Sequence, residues 1–160
     1  MTIFEEVVSL LLEKEKTITF AESCTAGLAA ARLGEVSGAS GCFAGSLVSY
    51  ANAVKSKFLG VSEEVLAGFG AVSEECVRQM AAGAAGLFGA DVAVAISGVA
   101  GPTGGSEQKP VGTVFVGVFY EGEVSVVRLN LCGERNEIRE KAVEIAYEMV
   151  LGVLKNDNLR

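Results

Sequence analysis

The chain has 160 residues, half of them hydrophobic, with 20 glycines, only 2 prolines and a formal net charge of -7. That length suits one domain with a single core, and that apolar content excludes a disordered chain. The negative charge argues against a nucleic-acid surface as the main business of the fold, since neutralising phosphates needs a basic stripe, but it leaves room for a local basic pocket. No stretch approaches the roughly 20 apolar residues of a membrane span. Glu5-Glu6 stand where a signal peptide is basic and then apolar, so a cytoplasmic location with no membrane partner is expected. Cys24, Cys42, Cys76 and Cys132 form no CxxC pair and the chain has no histidine, which predicts free buried thiols and no metal site.

Residues 2–15 place Phe4, Val7, Val8, Leu11 and Leu12 on one helical face, with Glu5, Glu6, Glu13 and Lys14 mostly on the other. A short β-prone run at 17–21 is followed by a helix predicted over 25–36, whose alanines and Gly27 suit close packing on a sheet. Residues 42–50 read as a strand and 52–59 as a short helix capped by Asn52 and carrying Lys55 and Lys57, both just beyond the strand end. Helices at 62–67 and 73–88 each open on a serine with glutamate in the first turn, where a carboxylate favours the helix dipole. The apolar run at 91–97 has the character of a central strand buried on both faces. The β-branched runs 111–120 and 123–131, joined by Glu121-Gly122, predict an antiparallel hairpin. A last helix over 134–154 repeats Ile138, Ala142, Ile145, Met149 and Val153, and 155–160 are expected to fray. Helices interleaved with strands give an α/β fold class: one domain over 1–160, a three-layer α/β/α sandwich on a mixed, mostly parallel sheet with one antiparallel hairpin.

Chemistry concentrates at three places. Phe20 to Gly27 marks a strand-to-helix junction with clustered hydroxyls, where Ser23 is a candidate nucleophile or simply a helix cap. With no histidine, something else must activate it. Ser97 to Gly105, including Gly98, Gly101, Gly104 and Gly105, lies beyond the carboxyl end of the central strand, where α/β folds keep their sites; it is either a ligand loop or a surface loop with glycine turns. Lys55 or Lys57 can serve as a base only if burial or a neighbouring cation lowers its pKa. Arg135 and Arg139, one turn apart, read as a phosphate clamp or as solvent-facing ion-pair partners. Cys24 reads as a buried structural thiol, since no histidine partners it.

Together these segments resemble the CinA C-terminal domain family, the nicotinamide-nucleotide amidohydrolases. The stretches that carry the resemblance are Ala21-Glu22-Ser23-Cys24-Thr25, Gly45 through Lys55 with Ser49-Tyr50 and Asn52, and Gly70-Ala71-Val72-Ser73, followed by Ser97 through Gly105, Lys109-Pro110-Val111-Gly112-Thr113, and Gly133-Glu134-Arg135 with Arg139. They run in family order over nearly the whole chain.

The resemblance implies hydrolysis of the carboxamide of nicotinamide mononucleotide to nicotinic acid mononucleotide and ammonia, in pyridine-nucleotide salvage. It implies a site without metal or cofactor, a small-molecule nucleotide substrate, and a homodimer or higher homo-oligomer. By position, Ser23 is the nucleophile, Lys55 the base that replaces histidine, and Tyr50 a group that orients or relays the proton. Amides at Cys24 and Thr25 are then expected to hold the oxyanion, and the glycine loop with Arg135 and Arg139 the phosphate. Ser46 and Ser49 remain alternative nucleophiles. The family usually has glycine where this chain has Ala26 and Thr103, and aspartate where it has Glu134. No molybdopterin-binding-like domain precedes these motifs, which suggests the stand-alone form. The competing readings are a non-catalytic nucleotide-binding or interaction module on the same fold, and a hydrolase of another amide or of a phosphate ester.

Overall fold

A computed structural model describes residues 1–156. Thr2 opens α1 (Ile3–Glu13) through a capping box, its hydroxyl accepting from the Glu5 N–H at 3.1 Å while the Glu5 carboxylate accepts from the Thr2 N–H at 2.7 Å. Val7, Val8 and Leu11 are buried as the periodicity predicts, whereas Leu12, at the edge of the stripe, is exposed.

Five strands, β1 (Ile18–Glu22), β2 (Phe43–Val48), β3 (Val92–Gly98), β4 (Thr113–Tyr120) and β5 (Glu123–Asn130), form one sheet in the order β2-β1-β3-β4-β5. The first three are parallel; β4 is antiparallel to both β3 and β5, so only β4 runs against the rest. The β4–β5 turn is Glu121-Gly122, both at positive φ, as a two-residue hairpin requires. β3 is central, and its residues Val92 to Ser97 are buried.

Two cores sandwich the sheet. On one face α1, α2 (Leu28–Gly34) and α6 (Arg135–Asn156) cover Phe20, Val94, Ile96 and Val116. On the other, α5 (Glu74–Phe88) covers Ala21, Ala93, Ala95 and Phe115, with α3 (Asn52–Leu59) and α4 (Glu63–Gly68) packed beside it. Ser62 and Ser73 cap α4 and α5, accepting from Val65 N and Cys76 N. The three-layer arrangement expected from the alternation of elements is therefore present.

Several local expectations are corrected. The second helix starts at Leu28 instead of 25, because Ala26 and Gly27 adopt positive φ of 47° and 97° and cannot continue a right-handed helix backwards. Asn52 is the first residue of α3 and Ala51 is its cap, with no side-chain cap bond. On α6 the buried stripe runs through Ile138, Ala142, Val143, Ala146, Tyr147, Val150, Leu151 and Leu154. Ile145, Met149 and Val153 are half-buried, because at 100° per residue they lie along one edge of that stripe. Lys155 and Asn156 continue α6 instead of fraying; the remainder of that expectation, 157–160, lies outside the described residues. Cys24, Cys42 and Cys76 are buried free thiols, but Cys132, beyond β5, is exposed. No helix among the described residues is long and apolar enough to cross a membrane.

Candidate active site

The parallel register brings three serines to one level. Glu22 pairs with Val48 on β2 and with Ile96 on β3. The ladder continues one step further, Ser49 N donating to Glu22 O at 2.7 Å and Ser23 N to Ile96 O at 2.9 Å. Ser49, Ser23 and Ser97 therefore stand side by side at the carboxyl ends of β2, β1 and β3. Side chains alternate along a strand, and Ala95 packs on the α5 side, so Ser97 faces that side as well.

Lys55 meets this row from α3. It is 1% exposed, and its Nζ lies 3.2 Å from Ser23 Oγ, 2.6 Å from Ser49 O and 3.1 Å from Tyr50 O. Burial pushes the Lys55 pKa below its ordinary range, partly offset by the nearby thiols of Cys76 and Cys24. A neutral amine has two N–H bonds and one lone pair. With both N–H groups directed at the Ser49 and Tyr50 carbonyls, the lone pair faces the Ser23 hydroxyl, the geometry a general base needs. Lys57, two residues on, is exposed and lies over the Phe58 ring at 5.3 Å, away from the serines.

Of the three candidate nucleophiles, only Ser23 brings its hydroxyl to the amine. Ser49 Oγ lies 3.4 Å from Glu22 O, and Ser46 sits within β2 opposite Phe20. Ser23 itself caps no helix. It opens a tight turn, Ala26 N donating to Ser23 O at 3.0 Å, which leads into a second turn in which Leu28 N donates to Thr25 O. The cap of α2 comes from Glu22, whose fully buried carboxylate accepts from Ala29 N at 2.8 Å and Ala30 N at 3.1 Å. The anion-binding end of that helix is thus occupied by the chain's own carboxylate.

Thr25 is buried, with neither an acceptor for its N–H nor a partner for its Oγ1 among the described residues. The Cys24 N–H is directed at its own thiol, and that thiol is pushed up to about 11, chiefly by burial and against the opposing charge of Arg139. A thiol so disfavoured as thiolate fits the structural reading of Cys24.

The loops beyond β2 and β3 close around Ser23. Arg135 donates from Nη2 to the Tyr50 hydroxyl at 3.1 Å and from Nη1 to Gly101 O at 2.7 Å, joining the loop after β2 to the loop after β3 across the end of β1. It is the Tyr50 carbonyl, not its phenol, that touches Lys55. Arg139 donates to Cys24 O, Thr25 O and Asn136 Oδ1. In the glycine loop, Gly98 closes β3, and a Cβ there would lie 2.8 Å from Thr113 O; the approach of β4 demands that glycine. Gly101 is buried against Val111, while Gly104 and Gly105 are exposed. Among the described residues no group of three or more Cys, Asp or Glu side chains is placed to hold a metal ion.

A family model described as the CinA C-terminal domain matches residues 1–154. The chain belongs to the CinA C-terminal domain family. A CinA-like protein of Thermotoga maritima is 48% identical over 94% of this chain, and one of Fervidobacterium nodosum is 46% identical over 93%. The chain spans 37% of the length of each of these relatives. A CinA superfamily protein from Klebsiella pneumoniae superposes with a TM-score of 0.93 at 34% identity, covering 96% of both chains. The competence/damage inducible protein CihA from Agrobacterium tumefaciens gives 0.89 at 38% identity, covering 97% of both.

Two residues of this CinA domain were hidden from sequence reasoning. An acid near a helix start is ordinary, and the reach of Glu22 to amides seven and eight residues away needs the intervening double turn. Ser97 was legible only as part of a glycine loop; the alternation of Ala93, Ala95 and Ser97 was the signal that could have placed it beside Ser23. It is 1% exposed.

Ala26 occupies a backbone conformation that favours glycine, and it is exposed. Left-handed backbone costs an L-residue about 1–2 kcal/mol, and the greater unfolded freedom of glycine offsets part of the gain from removing it. Ala26→Gly is therefore expected to stabilise the domain by about 0.5–1 kcal/mol, read as a higher urea midpoint at unchanged slope. A lower midpoint would show that the alanine methyl makes contacts worth more than the strain.

Proposed function

We propose that this domain hydrolyses the carboxamide of nicotinamide mononucleotide to nicotinic acid mononucleotide and ammonia, as part of pyridine-nucleotide salvage in the cytoplasm. The observation that carries the reading is the contact between Lys55 Nζ and Ser23 Oγ, with two carbonyls positioned to take the amine's remaining protons.

In this scheme Ser23 Oγ attacks the amide carbon while Lys55 takes its proton. Lys55 approaches from the β2 side, so the leaving nitrogen belongs on that side, where the lysine ammonium returns the proton to it and ammonia departs. The carbonyl oxygen then faces β3, towards the buried Ser97 and the Thr25 N–H, the latter without an acceptor among the described residues and suited to hold an oxyanion. Water attacks the acyl-enzyme with Lys55 again as base, releasing the acid. Arg135, reaching between Tyr50 and Gly101 at the exposed edge of the site, supplies a cation for the phosphate, and Gly104-Gly105 of the same loop as Gly101 supply exposed backbone.

Purified protein incubated with nicotinamide mononucleotide is expected to release ammonia and nicotinic acid mononucleotide in equal amounts. Binding without release would favour the nucleotide-binding module, and hydrolysis that prefers another amide or a phosphate ester would reassign the substrate.

A further inference from the structure

We infer that Arg139 is a positioning residue, which aims the Thr25 N–H at the developing oxyanion and makes no contact with the substrate's phosphate. The inference rests on the serine acyl-transfer reading above and extends it to a residue that the motif pattern alone offers as a phosphate clamp.

All three nitrogens of the Arg139 guanidinium donate to the chain itself, through three of its five N–H bonds. Nε donates to Cys24 O at 3.0 Å, Nη2 to Thr25 O at 2.8 Å and Nη1 to Asn136 Oδ1 at 2.9 Å. Two of these acceptors are consecutive carbonyls of the turn that begins at Ser23. In a trans peptide the N–H points opposite to the C=O of the preceding residue. Drawing the Cys24 carbonyl towards α6, on one face of the sheet, therefore turns the Thr25 N–H towards the other face, where α3 brings Lys55 to Ser23. Among the described residues that N–H has no acceptor, and the Thr25 hydroxyl beside it is fully buried and unpartnered.

The turn needs such a strut. Its exit is strained by positive φ at Ala26, and its inner end is tied to the sheet by Ser23 N donating to Ile96 O and to α2 by the Glu22 carboxylate. Arg139 fixes the outer end. A lysine cannot replace it, because one ammonium does not reproduce the planar fork that meets two adjacent carbonyls.

The two roles separate with a probe that has no phosphate. Acylation of Ser23 by p-nitrophenyl acetate, followed as the nitrophenolate burst, is expected to slow about 100-fold in Arg139→Ala, the loss typical of one oxyanion donor. Turnover of nicotinamide mononucleotide is expected to fall in kcat by a similar factor, with KM within about threefold, and methylguanidine in solution should restore at least about tenfold of the lost acylation rate. Arg139→Lys, which keeps the aliphatic stem, is read in the same way should the alanine variant not fold.

A variant acylated by the ester at the wild-type rate, or one with raised KM for the nucleotide and unchanged kcat, makes Arg139 a phosphate ligand and overturns the inference. Wild-type protein that is acylated by the ester in an Arg139-dependent way but leaves the nucleotide untouched sinks the substrate reading and keeps the strut. Wild-type protein inert to the ester removes both.

Discussion

Lys55→Met is expected to lower kcat for amide hydrolysis by about 10⁴-fold at neutral pH while leaving the circular dichroism spectrum of the folded domain unchanged. Methionine fills the buried channel of the lysine stem and removes only the amine. Without it, Ser23 has no base in reach, since the chain has no histidine and the Glu22 carboxylate is spent on the amides of α2. Ser23→Ala is expected to be at least as severe, and the double variant no worse than the worse single one, because nucleophile and base act as a unit. A Lys55→Met protein with kcat within tenfold of wild type would remove the amine from the mechanism and point to Tyr50 as the group to test next.

The fold was legible because its elements carry independent local signals. The apolar stripe of α1, the serine caps at Ser62 and Ser73, the buried run of β3 and the Glu121-Gly122 hairpin each specify a local structure whatever the rest of the chain does. The site was legible only as a set of candidates, because its chemistry depends on register. Ser23 and Lys55 are 32 residues apart, and nothing local says that the amine passes between two carbonyls to reach that hydroxyl. The junction at 23–27 misled for a related reason. A run of small residues after a strand reads as a helix start, but the positive φ of Ala26 delays the helix, and the cap comes from Glu22, on the strand behind it. Arg139 is the extreme case: two of its three acceptors lie 114 and 115 residues earlier in the chain, so spacing alone offered no distinction between a phosphate ligand and a strut.

Amide hydrolysis is expected to rise with pH along an acid limb whose midpoint lies below 10.5, the ordinary lysine value, because burial disfavours the Lys55 ammonium. The groups that face this amine are the Ser23 hydroxyl, the Ser49 and Tyr50 carbonyls, and the thiols of Cys76 on α5 and Cys24 in the turn. Both thiols are themselves raised by burial, and their effect on Lys55, which is to raise it, is smaller than the lowering by burial and does not reverse the direction. Stability carries the same signature. Between the depressed folded value and 10.5 the unfolded chain holds the Lys55 proton and the folded chain does not, so this group's contribution to unfolding free energy increases with pH across that window. The thiols act oppositely, since the unfolded chain releases their protons first, near 9.0, and the folded chain resists. Comparing urea midpoints of the wild type and Lys55→Met at each pH cancels the groups the two proteins share. The wild type is expected to gain on the variant as pH rises through the folded Lys55 value. A difference that stays flat from about pH 7 to 10, together with a rate that lacks an acid limb, would mean that Lys55 keeps its charge in the fold and acts on Ser23 only as a hydrogen-bond donor.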